Sequence, residues 1–162
     1  MRFPKNLEKI GSFAFYENSL EHIELPASLR VIADGAFSRC ENLSIVQFGE
    51  GLEALGTDKH PADYEQPHGV SQGSSSETAK LPPALERIGC CAFGGCKNLK
   101  GINLPDGIKR IGKQCFQESG LQFVHLPLAL KEIDDNAFRQ CKELKEVTFP
   151  NGLESIGQSA FF

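Results

Sequence analysis

The sequence is short of positive charge and contains no long apolar run. Lysine and arginine together number 17 against 21 acidic residues, which gives a formal net charge of −4. A chain with this balance offers no basic field to phosphates or anionic lipids, so nucleic acids and membrane surfaces are unfavourable ligands. No apolar stretch approaches the roughly 18 residues that span a bilayer, and the N-terminal residues lack the apolar core of a secretory signal. We therefore expect a soluble chain whose partner is a protein or a glycan.

The main positive feature of the sequence is an internal repeat. Prolines that follow Leu or Phe recur at intervals of about 22 to 23 residues, with one longer interval. Within each interval the same apolar positions return in the same order, and the shared pattern is LPxxLxxIGxxAFxxCxxLxxIx. The clearest unit runs from Leu81 to Asn103. These prolines are Pro4, Pro26, Pro82, Pro105, Pro127 and Pro150.

The apolar positions of one unit predict two inward-facing walls. Leu99, Ile102 and Leu104 alternate with polar residues and predict one short strand in each unit. Leu85 and Ile88, followed by an Ala-Phe pair, fill the interior from the opposite side. One unit buries too few side chains to offset the ordering of its own backbone, so neighbouring units must stack. Stacked units then form a parallel sheet.

This repeat, with its LP opening and AFxxCxxLxxI core, resembles the BspA-type leucine-rich repeats, whose period is near 23 residues. The resemblance covers almost the whole chain. It implies an α/β-type repeat solenoid: a leucine-rich-repeat stack with a parallel β-sheet, short second-wall strands and few or short helical turns. It also implies an interaction module of a kind common in surface or host-interacting proteins of bacteria and protists.

We predict one domain over residues 1–162, with about seven coils of which the last is incomplete. A polar segment rich in Gly, Ser and Pro, Thr57–Lys80, replaces the second half of the third unit and predicts a loop insertion there. Neither end of the sequence carries a polar capping unit. The interpretation favours a fragment of a longer array, and the alternative is that a partner covers the ends.

Four of the six cysteines fit the repeat. Cys40, Cys96 and Cys141 occupy one place in the unit and are predicted to face the interior as small apolar filler. They fall in alternate coils, roughly 10 Å apart along the stack, which exceeds the roughly 7 Å reach of a disulfide. Cys115 replaces the Ala of the Ala-Phe pair and is expected to be inert.

Cys90 and Cys91 occupy turn positions that carry polar residues in other units, so we expect both to be partly exposed. If the loop approaches them, His60, Asp63 and His68 become further ligands for zinc. The CCxxxxC spacing is not a zinc-binding pattern, however, and exposed turn thiols are the favoured interpretation. We expect no metal and no other cofactor.

Catalysis is not expected either. His60 and His68 lie in the loop, whereas His22 and His125 lie on strands roughly 20 Å apart along the stack, so the histidines cannot share a reaction centre. The sequence has no glycine-rich phosphate loop. Its recurring carboxylates, such as Glu86 and Glu132, stand beside the Leu of the second wall, where a solvated face explains them.

The predicted contact surface is the outward face of the strands, which we call the strand face. Ile45 and Phe123 are apolar there although the alternation calls for polar residues, which favours a binding site, and the alternative is packing against the loop or a turn. A second candidate surface is the loop, at His60, Tyr64 and His68. The strand-face candidates are His22, Glu24, Ile45, Gln47, Asn103, Phe123, His125 and Glu146.

The sequence therefore predicts a protein-binding or glycan-binding module without catalytic activity. The competing interpretation is a structural spacer or peripheral subunit that stabilises a larger assembly through its uncapped ends, by docking or by end-to-end self-association. Localisation stays open, because the absence of a signal and the unpaired cysteines favour a reducing interior, whereas the resemblance favours a cell surface.

Overall fold

The computed structural model describes residues 2–37, 45–56 and 78–162. These ranges form short parallel strands and no α-helix, so they contain no helix that could cross a membrane. The strands alternate between two walls of a solenoid. Their bounds are β1 Lys9–Ile10, β2 His22–Glu24, β3 Val31–Ile32, β4 Ile45–Gln47, β5 Ala54–Leu55, β6 Thr78–Lys80, β7 Arg87–Ile88, β8 Gly101–Asn103, β9 Arg110–Ile111, β10 Phe123–His125, β11 Glu132–Ile133, β12 Glu146–Thr148 and β13 Ser155–Ile156.

The odd-numbered strands form the second wall, a parallel sheet of seven strands in the order β1-β3-β5-β7-β9-β11-β13. Equivalent residues of successive repeats pair directly: Ile88 is in register with Ile111, and Ile133 with Ile156. Each strand has only two residues because the chain turns at both of its ends. The predicted short second-wall strands are confirmed.

The even-numbered strands carry the strand face. They form a four-stranded parallel sheet, β12-β10-β8-β6, and a two-stranded parallel sheet, β2-β4. Registers again join equivalent positions, for example Phe123 with Gly101 on one side and Glu146 on the other. The loop assignment is wrong at its last three residues, because Thr78–Lys80 is strand β6 and pairs with β8. Its remaining residues, 57–77, lie outside the described ranges.

The interior is filled by the repeated Leu, Ile and Phe positions. Ile102 and Val124 point inward from the strand face, and Leu85 and Ile88 meet them from the second wall. Phenylalanines of the Ala-Phe pairs stack from coil to coil. Ring centroids are 5.5 Å apart from Phe93 to Phe116, 5.0 Å from Phe116 to Phe138, and 5.0 Å from Phe138 to Phe161.

The turn before each Ala-Phe pair uses left-handed backbone. Cys91 (φ 55°), Gln114 (φ 56°) and Asn136 (φ 56°) hold equivalent places in successive coils. This conformation is costly for residues other than Gly and Asn, and it persists here because neighbouring coils bond to one another through the turn. The amide of Phe93 donates to the carbonyl of Cys115 at 2.7 Å, and the same bond recurs in the next coils.

The prediction that Cys90 and Cys91 are partly exposed is wrong. Both are buried, with exposed fractions of 5% and 6%. The next coil covers them: the Cys91 amide donates to the carbonyl of Lys113, and its thiol lies 3.7 Å from the amide oxygen of Gln114. Polar residues at the equivalent place in other coils, such as Lys113 and Asn136, are partly exposed, so the pattern correctly indicates a turn but not the burial of these two thiols.

Candidate interaction surface

The strand face presents the outward side chains of β2, β4, β8, β10 and β12. In β10, Phe123 and His125 are exposed while Val124 between them is buried. Paired strands align equivalent residues of successive repeats. The outward side chains therefore form two columns that run along the solenoid. The exposed members whose side chains are described are His22, Glu24, Gln47, Asn103, Phe123, His125, Glu146 and Thr148.

The structure brings only part of the predicted set together. Asn103, Phe123, His125 and Glu146 lie on three neighbouring strands of the four-stranded sheet. His22 and Glu24 lie in the two-stranded sheet, where they pair with Ile45 and Gln47 of β4. The Ile45 side chain lies outside what the structure describes, as do the loop residues His60, Tyr64 and His68.

Phe123 owes its position to a glycine on the next strand. A Cβ atom on Gly101 would lie 2.3 Å from Cζ of Phe123 and 2.4 Å from its Cε2, so the ring lies over the backbone of β8. The ring also meets His125 edge to face, with centroids 6.2 Å apart. Although Gly101 is buried beneath it, 47% of Phe123 is exposed. Phe123 therefore rests on the sheet and keeps an open apolar surface.

A groove of about 530 Å³ runs beside Phe123, between the ends of β10 and β12 and the turns that follow them. Its most exposed apolar residue is Leu128, at 85%, and Phe149 is exposed at 43%. The groove thus adds two apolar residues to the predicted surface. It is lined by Phe123, Val124, His125, Leu126, Leu128, Glu146, Thr148, Phe149, Pro150 and Asn151.

Leu128 was not among the predicted site residues, although the repeat contains the signal for it. It occupies the position after the LP proline, where other units place Lys5, Ala27, Glu50, Pro83, Asp106 and Asn151. No other unit carries a large apolar side chain at this position, which is the same kind of departure that singled out Phe123. Phe149 could not be identified in this way, because its position in the repeat is a core position. Leu104 occupies the same position two coils earlier and is buried.

The charge on the groove is acidic. Glu146 is the one acidic residue among the groove's lining residues, and no Lys or Arg lines it. Within the described part of the chain, no hydrogen bond or ion pair engages this carboxylate. Glu146 is exposed on the strand face, in register with Phe123. The groove therefore combines an open apolar wall with an unengaged negative charge.

Comparison with known proteins assigns the repeat. The model of the BspA type leucine rich repeat region matches residues 1–59 and 70–162, in six copies. The chain belongs to this family. No curated protein matches it. The resemblance seen in the sequence is confirmed, and repeats of this family form interaction modules.

Solved leucine-rich repeat proteins share the fold. A leucine-rich repeat protein of T. pallidum is 28% identical, with a TM-score of 0.79, and covers 93% of this chain. A leucine-rich cell surface protein of Faecalibacterium prausnitzii is 22% identical over 95%, with a TM-score of 0.74. One from Bacteroides ovatus is 18% identical over 98%, with a TM-score of 0.62. The chain spans 66%, 40% and 63% of these proteins, in that order.

The second wall of this leucine-rich repeat chain carries the charges that the sequence assigned to a solvated face. Its ion pairs join neighbouring coils: Arg110 contacts Asp134 at 2.7 Å, and Lys131 contacts Glu154 at 2.8 Å. Exposed pairs of this kind contribute about 0 to 1 kcal/mol each. These charges thus find partners on their own wall, in contrast to Glu146 on the strand face.

The thiols of the repeat are placed for packing. Burial raises the pKa of Cys115, and the neighbouring thiols of Cys91 and Cys90 raise it further. Burial also raises the pKa of Cys141, against a hydrogen bond with Ser119 that lowers it. Thiols held protonated are poor nucleophiles and poor metal ligands. Within the described residues, no group of three His, Cys, Asp or Glu side chains is arranged to hold a metal ion.

Proposed function

We propose that this leucine-rich repeat chain binds a protein through its strand face, with Phe123 as the central contact. One observation carries the proposal: the repeat accounts for the inward apolar residues, but it does not account for the open surface of Phe123. Exposed aromatic residues among polar neighbours are enriched at the centres of protein interfaces. Since 47% of Phe123 is exposed, covering that remainder contributes roughly half of the 1.5 to 3 kcal/mol of a fully buried side chain.

A protein partner fits this surface better than a glycan. Sugars stack on aromatic rings but are oriented by several directed hydrogen bonds, and neither the Phe123 nor the Leu128 side chain has a hydrogen-bonding group. Aromatic and aliphatic anchors of a protein partner match the apolar area of these two side chains. A glycan would instead need the polar column of Gln47, Asn103 and Thr148, and it is the alternative that the experiment below separates.

The proposed role is binding without catalysis. His22 and His125 lie in different sheets, and the thiols of Cys115 and Cys141 are protonated by burial. These features support a module that presents a surface. We also propose that the module acts on a cell surface, as the resemblance to BspA-type repeats implies, and labelling of intact cells with an impermeant reagent tests that location.

The proposal is tested by comparative capture. The wild-type chain, Phe123→Ser and Glu86→Ala are immobilised at equal density, and retained proteins are quantified by mass spectrometry. Glu86 is an exposed second-wall residue, so its variant controls for charge and surface change away from the strand face. We expect at least one protein to be retained by wild type and Glu86→Ala and to fall at least fivefold on Phe123→Ser.

The same capture can overturn the proposal. If proteins retained by wild type are retained equally by Phe123→Ser, the strand face around this ring is not the contact surface. Retention of soluble glycans in place of proteins would favour the glycan alternative. Thermal melting of the three chains excludes misfolding, and we expect Phe123→Ser to melt near wild type because its ring is half exposed.

A further inference from the structure

We propose that the groove beside Phe123 takes an apolar side chain of a protein partner, and that this partner carries a Lys or Arg two residues from that side chain. This inference rests on the proposed function, since it names the chemistry of the partner at the same face. It is carried by two features that meet in one place: the apolar wall of Leu128 and Phe149, and the carboxylate of Glu146.

The apolar wall has no role within the repeat. Leu128 is 85% exposed, and it stands where other units carry Lys5 or Asp106, so the coil does not need an apolar residue there. Phe123 likewise stands where its strand neighbours are Gly101 and Glu146. Two independent departures from the repeat therefore open onto one groove. Their shared chemistry selects an aliphatic or aromatic side chain as the occupant.

The groove is large enough to accept a side chain of a partner. Its volume of about 530 Å³ falls within the roughly 300 to 1,000 Å³ of clefts that hold small ligands. That space exceeds a single side chain, so it can also hold the backbone and residues that flank the inserted side chain. Thr148 and Asn151 lie on the lining and supply a hydroxyl and an amide, which can bond to that backbone.

Charge complementarity specifies a second residue of the partner. Glu146 lines the same groove and no Lys or Arg lines it, so the lining carries one formal negative charge. In an extended segment, side chains two residues apart point to the same side, so a residue two positions from the inserted side chain also faces the strand face. Lys and Arg at that position have the length to reach Glu146 and the matching charge. An acidic or purely apolar segment would leave the carboxylate uncompensated.

The test is a display selection on the intact chain. Random twelve-residue peptides are selected on the wild-type chain, and enriched peptides are then bound to purified wild type, Leu128→Ser, Glu146→Gln, Phe123→Ser and Glu86→Gln. Glu86 is an exposed second-wall carboxylate, which makes Glu86→Gln a matched control for loss of acidic charge away from the strand face. Dissociation constants are measured by fluorescence anisotropy, and variant stability by melting.

We expect enriched peptides to share an apolar residue and, two positions away, Lys or Arg. Leu128→Ser should weaken their binding at least tenfold, because the loss of one buried Leu contact exceeds the 1.4 kcal/mol that corresponds to tenfold. Glu146→Gln should weaken it twofold to fivefold, the range of an exposed ion pair. Replacing the basic residue of the peptide by Gln should remove this Glu146→Gln effect. Glu86→Gln should bind as wild type does.

Two outcomes would overturn the groove inference and leave the proposed function standing. In the first, the peptides lose binding on Phe123→Ser but not on Leu128→Ser, which would place the contact elsewhere on the strand face. In the second, the chain forms a dimer in sedimentation that Leu128→Ser abolishes, which would make a second copy the occupant. Peptides indifferent to all of these variants would sink both proposals.

Discussion

At the scale of single residues, the informative positions are those where one unit differs from the others. Cys115 replaces the Ala that fills the same place in other coils, and it is fully buried. Its raised pKa follows from burial among neighbouring thiols, so its sulfur is packing material. Phe123 differs from the repeat in the opposite sense, since it adds apolar surface on the outside. Cys115 is accommodated within the core, whereas Phe123 leaves apolar surface exposed.

The role of Cys115 yields a stability prediction. Cys115→Ala restores the residue of the other coils and should change the free energy of unfolding by less than about 1 kcal/mol. Cys115→Ser keeps the size but buries a hydroxyl, and it should cost about 1 to 3 kcal/mol. Urea denaturation of the three chains measures both. Equal stability of the Ser and Ala variants would mean that this position is wetter than its burial indicates.

At the scale of elements, the stacked phenylalanines connect one coil to the next. Phe116 lies between Phe93 and Phe138 and is fully buried, whereas Phe161 stacks on Phe138 with 38% of its surface exposed. Removal of an interior ring leaves a cavity between two others. Removal of the partly exposed ring leaves a space that water can enter. The two substitutions should therefore lower the free energy of unfolding by different amounts.

We predict that Phe116→Ala lowers the free energy of unfolding by about 3 to 5 kcal/mol, the range for buried aromatic residues. Phe161→Ala should cost less than half as much. Thermal or urea denaturation checks the difference with one chemical change at two places in the same stack. Equal costs would show that the stack does not carry the packing energy that its geometry indicates.

The strands were predictable from the sequence, because Leu, Ile and polar residues alternate at one fixed period in every unit. The exposure of Cys90 and Cys91 was not, since it depends on the neighbouring coil: Gln114 and Lys113 close over the turn only after stacking. Strand β6 was hidden for a similar reason. Its residues Thr78–Lys80 lack the apolar pattern and are held by their register with β8.

The groove was half predictable. Phe123 interrupts the apolar–polar alternation of its strand and could be identified from the sequence. Leu128 is an apolar residue in a turn, where no alternation is expected, and it was not identified. Their meeting in one groove required the structure, because they are contributed by a strand and by the turn that follows it. Glu146 became informative only when its pairing with Phe123 across the sheet was known.

At the scale of the whole molecule, parallel strand pairs join successive coils along the entire second wall, and on the strand face they join the coils within each of its two sheets. A solenoid of this kind lets one coil change its outer residues without disturbing the packing of distant coils. The division of the chain into about seven coils in one domain stays a prediction. The architecture separates three kinds of side chain. Packed apolar residues fill the interior, paired charges lie on the second wall, and exposed apolar residues lie on the strand face.

The central claim is that the position of the Phe123 ring determines binding, and a pair of glycine substitutions tests it most directly. Gly101→Ala places a methyl group within 2.3 Å of the ring and must displace it, while Phe123 itself is unchanged. Gly107→Ala adds the same methyl group where the nearest atom, the carbonyl oxygen of Leu85, is 3.7 Å away. Affinity for the captured partner is measured for both by titration. The account predicts at least fivefold weaker binding by Gly101→Ala, wild-type binding by Gly107→Ala, and little change in melting temperature for either; equal affinities of the two variants would contradict it.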